Sequence, residues 1–160
     1  MRSFVLGSGP TRIKWPRAET PPQEPNSATA AYLKFYQLQQ ADVDTKIRGL
    51  HLRTRQAIAS LSPNLARICA IDAALNDALA THARRYLSAV PNLLLRRLEH
   101  LYTEFEATVQ SGAEREESWI ETRERYRRES QGLLLAEIEA RLLPSLGLIE
   151  ALNEEIKDED

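Results

Sequence analysis

The fold is decided by one stretch of the sequence, residues 62–91, which reads SPNLARICAIDAALNDALATHARRYLSAVP. Its opening serine and proline suit the cap and the first position of an α-helix. Seven residues then follow one another in steps of three and four: Leu65, Ile68, Asp72, Leu75, Leu79, His82 and Tyr86. This spacing predicts a helix over 63–89 with one coiled-coil-like seam, in which Asp72 and His82 are the polar members. Pro91 ends or kinks that helix.

The same periodicity extends to both sides of this helix. Apolar residues at helical spacing predict a long helix over 28–60 before it and another over 91–111 after it. A fourth helix begins near Ala113, and Pro144 separates a short final helix from it. No window alternates between apolar and polar residues with period two, so we expect no β-sheet. The sequence therefore predicts an all-α fold, an elongated antiparallel helical bundle of four long helices plus a short C-terminal helix.

The distribution of prolines and acidic residues divides the chain into three parts. Five of the eight prolines lie in residues 1–27, which predicts a disordered, Pro-rich arm. Residues 28–153 form the predicted helical bundle domain, and residues 154–160 form an acidic tail. The whole chain has 160 residues, which is about the length of one domain.

Composition bounds the cellular setting that we expect. No apolar stretch reaches the roughly 20 residues that a membrane-spanning helix needs, so we expect no direct membrane insertion. The apolar run after Met1 is interrupted by Gly7 and Pro10, which makes it shorter than the core of a signal peptide. A single cysteine excludes an internal disulfide and fits a reducing compartment. We therefore expect a cytoplasmic protein, and a partner could recruit it to the inner membrane.

Charge is distributed unevenly, although the net charge is only -2. Residues 46–97 carry nine basic and two acidic side chains, whereas residues 98–160 carry seven basic and seventeen acidic ones. The basic segment can bind a polyanion such as nucleic acid, or it can pair with the acidic third of the same chain or of a second copy. The residues that would form a polyanion site are Arg84, Arg85, Arg96 and Arg97.

The first half of the fourth predicted helix suggests a surface for a protein partner. Residues 113–129 hold six glutamates and five arginines, with few large apolar side chains between them. Pairs of opposite charge one turn apart stabilise such a helix only weakly, so this half is expected to be rich in solvent or to face a partner. The candidate partner-binding residues are Trp119, Ile120, Arg123, Tyr126 and Arg127.

We find no constellation of residues that would carry catalysis or bind a cofactor. The three histidines, His51, His82 and His100, fall on three different predicted helices, which argues against a metal site. The glycines are scattered and do not form a phosphate-binding loop. Cys69 and His82 lie on one helix about 20 Å apart, so they cannot act together as nucleophile and base. The sequence therefore predicts no enzyme, no metal and no cofactor.

Asp72 and His82 are the oddest members of the predicted seam, and we interpret them as buried polar residues with a structural role. A buried carboxylate needs a partner, and Arg48, Arg53 or Arg55 of the first helix could supply it. A buried acid–base pair in a pocket and simple exposure of both residues are the alternatives. Glu137 and Arg141 are one helical turn apart, and we interpret them as a surface or interface salt bridge.

Several segments together resemble one protein family. They are SPNLAR at 62–67, AIDAAL at 70–75, VP at 90–91, LLAE at 134–137 and GLIEAL at 147–152. This pattern resembles the proteobacterial domain-of-unknown-function family thirty-three forty-eight, and it covers roughly residues 30–155. The pattern contains no catalytic motif.

The resemblance implies a genomic and functional context. Proteins of this family are expected beside a MotA-like membrane protein and an OmpA/MotB-like peptidoglycan-binding protein, a set that looks like a Zorya-type anti-phage system. The chain would then be a soluble accessory component that binds these neighbours, a sibling accessory protein or a second copy of itself. The alternative function is a nucleic-acid-binding module that uses the basic segment 46–97.

Overall fold

The computed structural model describes residues 25–108 and 113–158. Four helices occupy these residues: α1 (Pro25–Ala59), α2 (Pro63–Leu87), α3 (Val90–Thr108) and α4 (Ala113–Asp158). No strand occurs in the described ranges, so the prediction of an all-α fold is confirmed for them. Most of the predicted Pro-rich arm and the last two residues of the acidic tail lie outside these ranges.

The structure has three long sides: α1 is one, α4 is another, and α2 followed by α3 is the third. Each side packs against the other two. Asn64 of α2 contacts Glu155, and Arg97 of α3 contacts Glu129, so α2 and α3 both run antiparallel to α4. Tyr36 and His51 of α1 contact Glu137 and Ser145 in rising order, so α1 runs parallel to this part of α4.

This arrangement differs from the predicted alternation of antiparallel neighbours. An antiparallel bundle of four helices requires α3 to turn back along α2, but α3 continues in the direction of α2. The two helices are separated only by a turn at 88–89, and both pack against α1 and α4. Pro91 has no backbone N–H, and it lies in the first turn of α3, where that donor would have no helical partner. It therefore starts a helix here without reversing the chain.

The start of α2 follows directly from its local sequence. The Ser62 backbone is extended, and its side chain accepts a hydrogen bond of 3.1 Å from the N–H of Leu65. Pro63 occupies the first helical position, as predicted. The Ser62 hydroxyl also donates to Glu155 at the far end of α4, so the same residue joins the first turn of α2 to another helix.

The predicted short C-terminal helix is wrong, because α4 continues through Pro144 to Asp158. A proline in a helix interior removes one backbone hydrogen bond and destabilises the helix by about 3 kcal/mol. Ser145 and Leu148, which follow the proline, are both buried against the rest of the chain. We infer that this packing offsets the local penalty and holds the two halves of α4 in one helix.

Two hydrophobic clusters lie at different positions along the axes of the packed helices. The first joins α1, α3 and α4 and consists of Tyr32, Tyr36, Leu94, Leu98, Leu101 and Tyr126. The second joins α1, α2 and α4 and consists of Ile58, Leu65, Cys69 and Leu148. Between them, the contacts among α1, α2 and α4 are largely polar. Within the described ranges, no helix is long and apolar enough to cross a membrane.

The predicted seam of α2 is buried only in its first part. Leu65 is buried and Ile68 is half-buried, whereas Leu75, Leu79 and Tyr86 are exposed. The side of α2 that faces the other helices instead follows Leu65, Cys69, Asp72 and Asn76. Helix α2 thus has two apolar faces, and residues 25–108 and 113–158 cover only one of them.

Candidate interaction surface

Asp72 lies at the centre of a polar layer that joins α1, α2 and α4. Its carboxylate accepts hydrogen bonds from Arg55 Nε at 2.8 Å and from Asn76 Nδ2 at 3.0 Å. His51 Nε2 lies 2.9 Å from the same carboxylate, and His51 Nδ1 lies 2.9 Å from Ser145 Oγ. Of the three arginines that we considered for Asp72, Arg55 is therefore the one that contacts it. His51 and Ser145 were not predicted to belong to this layer, because no local pattern in the sequence links them to Asp72.

Ser145, His51 and Asp72 follow one another in the order of a serine hydrolase triad, but their setting favours a structural role. A nucleophilic serine must be reachable by the substrate and must lie beside backbone donors that stabilise an oxyanion. Ser145 is only 4% exposed and lies inside the continuous helix α4, whose backbone donors are used within the helix. The carboxylate of Asp72 is also neutralised directly by Arg55.

A second polar layer lies beside the first and centres on Glu137. This carboxylate accepts a hydrogen bond of 2.7 Å from the Tyr36 hydroxyl and one of 2.9 Å from Gln40 Nε2. Arg141 lies 3.6 Å from Glu137 and also pairs with Asp44 of α1. We predicted a salt bridge between Glu137 and Arg141 at the surface or at an interface, and because Glu137 is buried the pair lies inside the structure. Burial, assisted by the bond to Glu137, raises the pKa of Tyr36 above its usual range.

His82 is not a buried residue. It lies on the exposed side of α2, so the prediction of a structural role in the core is wrong for it. His51 is the histidine that contacts Asp72. Cys69 is buried and donates to the backbone oxygen of Arg55 at 3.5 Å. Burial raises the pKa of its thiol, which keeps it in the unreactive protonated form.

Trp119 is used inside the chain rather than on a partner surface. It is buried, and its ring lies 5.3 Å from the ring of Phe105 and 6.1 Å from that of Tyr102. The guanidinium of Arg115 stacks 4.8 Å from the centre of the Phe105 ring. The prediction that Trp119 faces a partner is therefore wrong, because α3 covers its side chain.

The other candidate partner residues of α4 divide between the core and the surface. Tyr126 is buried against Tyr32 with the ring centres 5.4 Å apart, and burial raises its pKa to about 12. Ile120 is exposed, Arg123 is half-buried, and Arg127 pairs with Glu124 of its own helix at 2.9 Å. The five residues thus form no common surface.

The four arginines proposed for polyanion binding also differ in their surroundings. Arg84, Arg85 and Arg96 are exposed. Arg97 instead donates two hydrogen bonds to Glu129 of α4, at 2.7 and 2.9 Å. These bonds hold the pKa of the Glu129 carboxyl below its usual range. Arg97 is therefore committed to joining α3 to α4, and only the other three remain available to a ligand.

The most extensive uncovered feature of α2 and α3 is an apolar stripe. We call it the α2 stripe, and it consists of Ile71, Leu75, Leu79, Tyr86 and Leu93. These five side chains are 57–75% exposed. Isolated surface apolar residues are common, but a row at helical spacing indicates a binding surface. The sequence predicted a seam that contains Leu75, Leu79 and Tyr86, but it could not show that the described part of the chain leaves these side chains exposed.

Helix α4 carries a second uncovered row, which we call the α4 stripe. Its members are Leu135, Leu146, Ile149 and Ile156. They are 42–59% exposed, and the half-buried Leu142 lies in line with them. With Leu142 included, the steps between neighbours are seven, four, three and seven residues, as in a coiled coil.

Within the described part of the chain, no group of three or more histidine, cysteine or acidic residues could hold a metal ion.

Comparison with known proteins identifies the family. The family model described as "Protein of unknown function (DUF3348)" matches residues 2–154. The chain belongs to this family. No curated protein and no solved structure matches the chain.

Proposed function

We propose that this chain is a non-enzymatic helical interaction protein that binds a long amphipathic helix on the α2 stripe. The exposure of five large apolar side chains in one row carries the proposal. A helix laid along such a row would cover it by the packing of apolar side chains at matching spacing. Three exposed arginines near the row, Arg67, Arg85 and Arg96, favour an acidic partner helix.

The energy available from this stripe fits a specific but reversible contact. Fully burying a leucine, isoleucine or aromatic side chain contributes about 1.5–3 kcal/mol. Because the five side chains are already partly covered, burying the rest contributes about 1–2 kcal/mol each. Association itself costs at least about 4 kcal/mol. The total of about 5–10 kcal/mol less this cost leaves about 1–6 kcal/mol, which corresponds to a dissociation constant of tens of micromolar or weaker. Ion pairs with the arginines would add affinity and specificity.

The test compares stripe variants with matched variants elsewhere on the surface. Leu75→Ser with Leu79→Ser should abolish binding to a purified partner, whereas Leu38→Ser with Leu52→Ser should not. All four leucines are exposed, so neither change should unfold the chain. Binding is measured by calorimetry. Equal binding by both double variants would refute the assignment of the stripe.

The family resemblance suggests which partners to purify first. We propose that the chain is an accessory component of a MotA/MotB-like, Zorya-type anti-phage complex, in the cytoplasm or recruited to the inner membrane by a partner. The candidates are the MotA-like protein, the OmpA/MotB-like protein and a sibling accessory protein. Deleting the gene should remove protection against phage, and the Leu75→Ser, Leu79→Ser variant should fail to restore it. Full protection without the gene would refute this role.

The buried Ser145–His51–Asp72 chain gives the non-enzymatic part of the proposal its own test. A fluorescent fluorophosphonate labels activated serines of hydrolases. We expect the native protein and the Ser145→Ala variant to show the same background labelling. Labelling that depends on Ser145 would refute the structural interpretation and would establish a nucleophilic site.

Nucleic-acid binding is the second candidate function, and the exposure of Arg84, Arg85 and Arg96 favours it. A site of this kind would bind mainly through phosphate charges, so its affinity would fall steeply with salt. Replacing all three arginines by glutamate should abolish a gel shift at low salt. The control variant is Arg48→Glu, since Arg48 is exposed on α1 and pairs with Asp44 at 2.5 Å. No shift by the native protein at low salt would exclude this candidate.

A further inference from the structure

We propose that a second copy of this chain covers the α2 stripe with its α4 stripe. The inference rests on the proposed function, because it names the partner helix for the same surface. Two uncovered rows on one chain, each with coiled-coil-like spacing, are the observation from which it starts.

The two rows have matching lengths. Residues 135–156 of α4 span about 32 Å at 1.5 Å per residue. Residues 71–86 of α2 span about 23 Å on the same basis, and Leu93 extends the row onto α3. One α4 stripe is therefore long enough to cover the α2 stripe and to reach Leu93.

The charges beside the two rows are opposite. Arg67 lies one turn before Ile71, and Arg96 lies one turn after Leu93. Beside the α4 stripe, Glu139 follows Leu135 by one turn and Glu150 follows Leu146 by one turn. Basic and acidic borders would attract each other when the two rows meet.

The spacing of these charges also matches. Arg85 and Arg96 are eleven residues apart, and so are Glu139 and Glu150. Eleven residues correspond to about 17 Å along the continuous helix α4, whereas the turn at 88–89 lies between Arg85 and Arg96. Within the described residues, none of these four side chains takes part in an ion pair, so all four are available to a second copy.

The chain itself provides a precedent for this pairing. Arg97 of α3 already joins Glu129 of α4 through two hydrogen bonds, and Asn64 of α2 contacts Glu155 of α4. The proposed contact would repeat this pairing of basic α2 and α3 with acidic α4, but between two copies. An interface of this kind joins two different surfaces rather than one surface to itself.

That difference makes a mixing experiment decisive. Leu75→Glu with Leu79→Glu removes the α2 stripe, and Leu146→Glu with Ile149→Glu removes the α4 stripe. By sedimentation velocity on the full chain, the native protein should self-associate, and each double variant alone should associate at least about tenfold more weakly. An equimolar mixture of the two variants should form a 1:1 dimer, because each supplies the stripe that the other lacks. Circular dichroism checks that both variants stay folded.

Several outcomes would overturn the inference. A native protein that stays monomeric at the highest soluble concentration would do so, and so would a mixture that does not associate. If only the α2 variant lost association, α4 would not be the helix that covers the stripe. The native protein could stay monomeric and bind a different purified partner, with the α2 variant losing that binding. This outcome would keep the proposed function and reject only the second copy as the partner.

The charges provide an independent check. Arg85→Glu with Arg96→Glu should weaken association at low salt, and mixing with the Glu139→Arg, Glu150→Arg variant should restore it. The control is Arg53→Glu, because Arg53 is exposed on α1. If the mixture of the two charge variants does not associate although the mixture of the two apolar-stripe variants does, the proposed charge pairing is wrong.

Discussion

Replacing Asp72 by alanine tests whether the polar layer of α1, α2 and α4 holds these helices together. The side chains of Asp72 and Arg55 are only 14% and 21% exposed. Removing one partner of a buried ion pair costs about 3–5 kcal/mol, because the other charge stays buried without compensation. Since this pair keeps some contact with water, we expect a loss of about 2–3 kcal/mol in the free energy of unfolding.

A matched control is available on the surface of α1. Asp42 pairs with Lys46 one turn later, and both side chains are more than half exposed. Exposed pairs of this kind contribute about 0.3–0.5 kcal/mol. The Asp42→Ala variant should therefore unfold almost like the native protein.

The assay is urea unfolding, followed by circular dichroism at one fixed protein concentration. Asp72→Ala should lower the unfolding midpoint, and a double-mutant cycle with Arg55→Ala should give a coupling of at least about 1 kcal/mol. In a thermal scan the shift should be about 5–10 °C for a chain of this size. If Asp72→Ala and Asp42→Ala destabilise equally, the polar layer does not hold the helices and the reasoning is refuted.

Three further substitutions test other parts of the structure. Arg97 lowers the pKa of Glu129 below its ordinary 4.5, so the pair stabilises the fold above that pH and the stabilisation is lost as pH falls through the lowered value. In Glu129→Gln, the free energy of unfolding measured in urea should therefore fall less between neutral and acidic pH than in the native protein. The same fall in both proteins would contradict the pairing. Trp119→Ala should cost about 3–5 kcal/mol in thermal unfolding, because the ring is buried, whereas a residue reserved for a partner would cost little. Ser62→Ala should cost at least about 1 kcal/mol of stability through loss of the cap to Leu65 and of the bond to Glu155. Ser62→Thr keeps the hydroxyl and should recover most of it, and an unchanged urea midpoint in Ser62→Ala would contradict the capping role.

Local sequence was sufficient to predict much of the secondary structure. The Ser62 cap, Pro63 at the first position of α2 and the absence of strands in the described ranges all agree with the structure. These features depend on backbone conformation and on hydrogen bonds between residues close in sequence, so the residues themselves are enough to indicate them. The break before Pro91 was also visible, but its effect on the direction of the chain was not.

Which side of each helix is buried could not be predicted in the same way. The steps between apolar residues show that α2 has an apolar face, yet they do not show whether the chain or a partner covers it. Asp72 and Asn76 face α1, while Leu75 and Leu79 face outward, because buried polar groups can satisfy each other there through His51. The apolar spacing therefore placed His82 and Tyr86 inside, and the high charge of residues 113–129 placed Trp119 outside.

The amino-acid sequence by itself determined where helices form and where α2 begins, since capping and helical spacing act over a few neighbouring residues. The tertiary structure alone decided that α3 continues α2, that α4 passes through Pro144 and that Glu137 is buried beside Tyr36. Each of these depends on contacts between residues far apart in the chain, such as the 101 positions between Tyr36 and Glu137. The energy of such contacts exceeds the local preference of a proline or a glutamate, and it appears only when the helices pack.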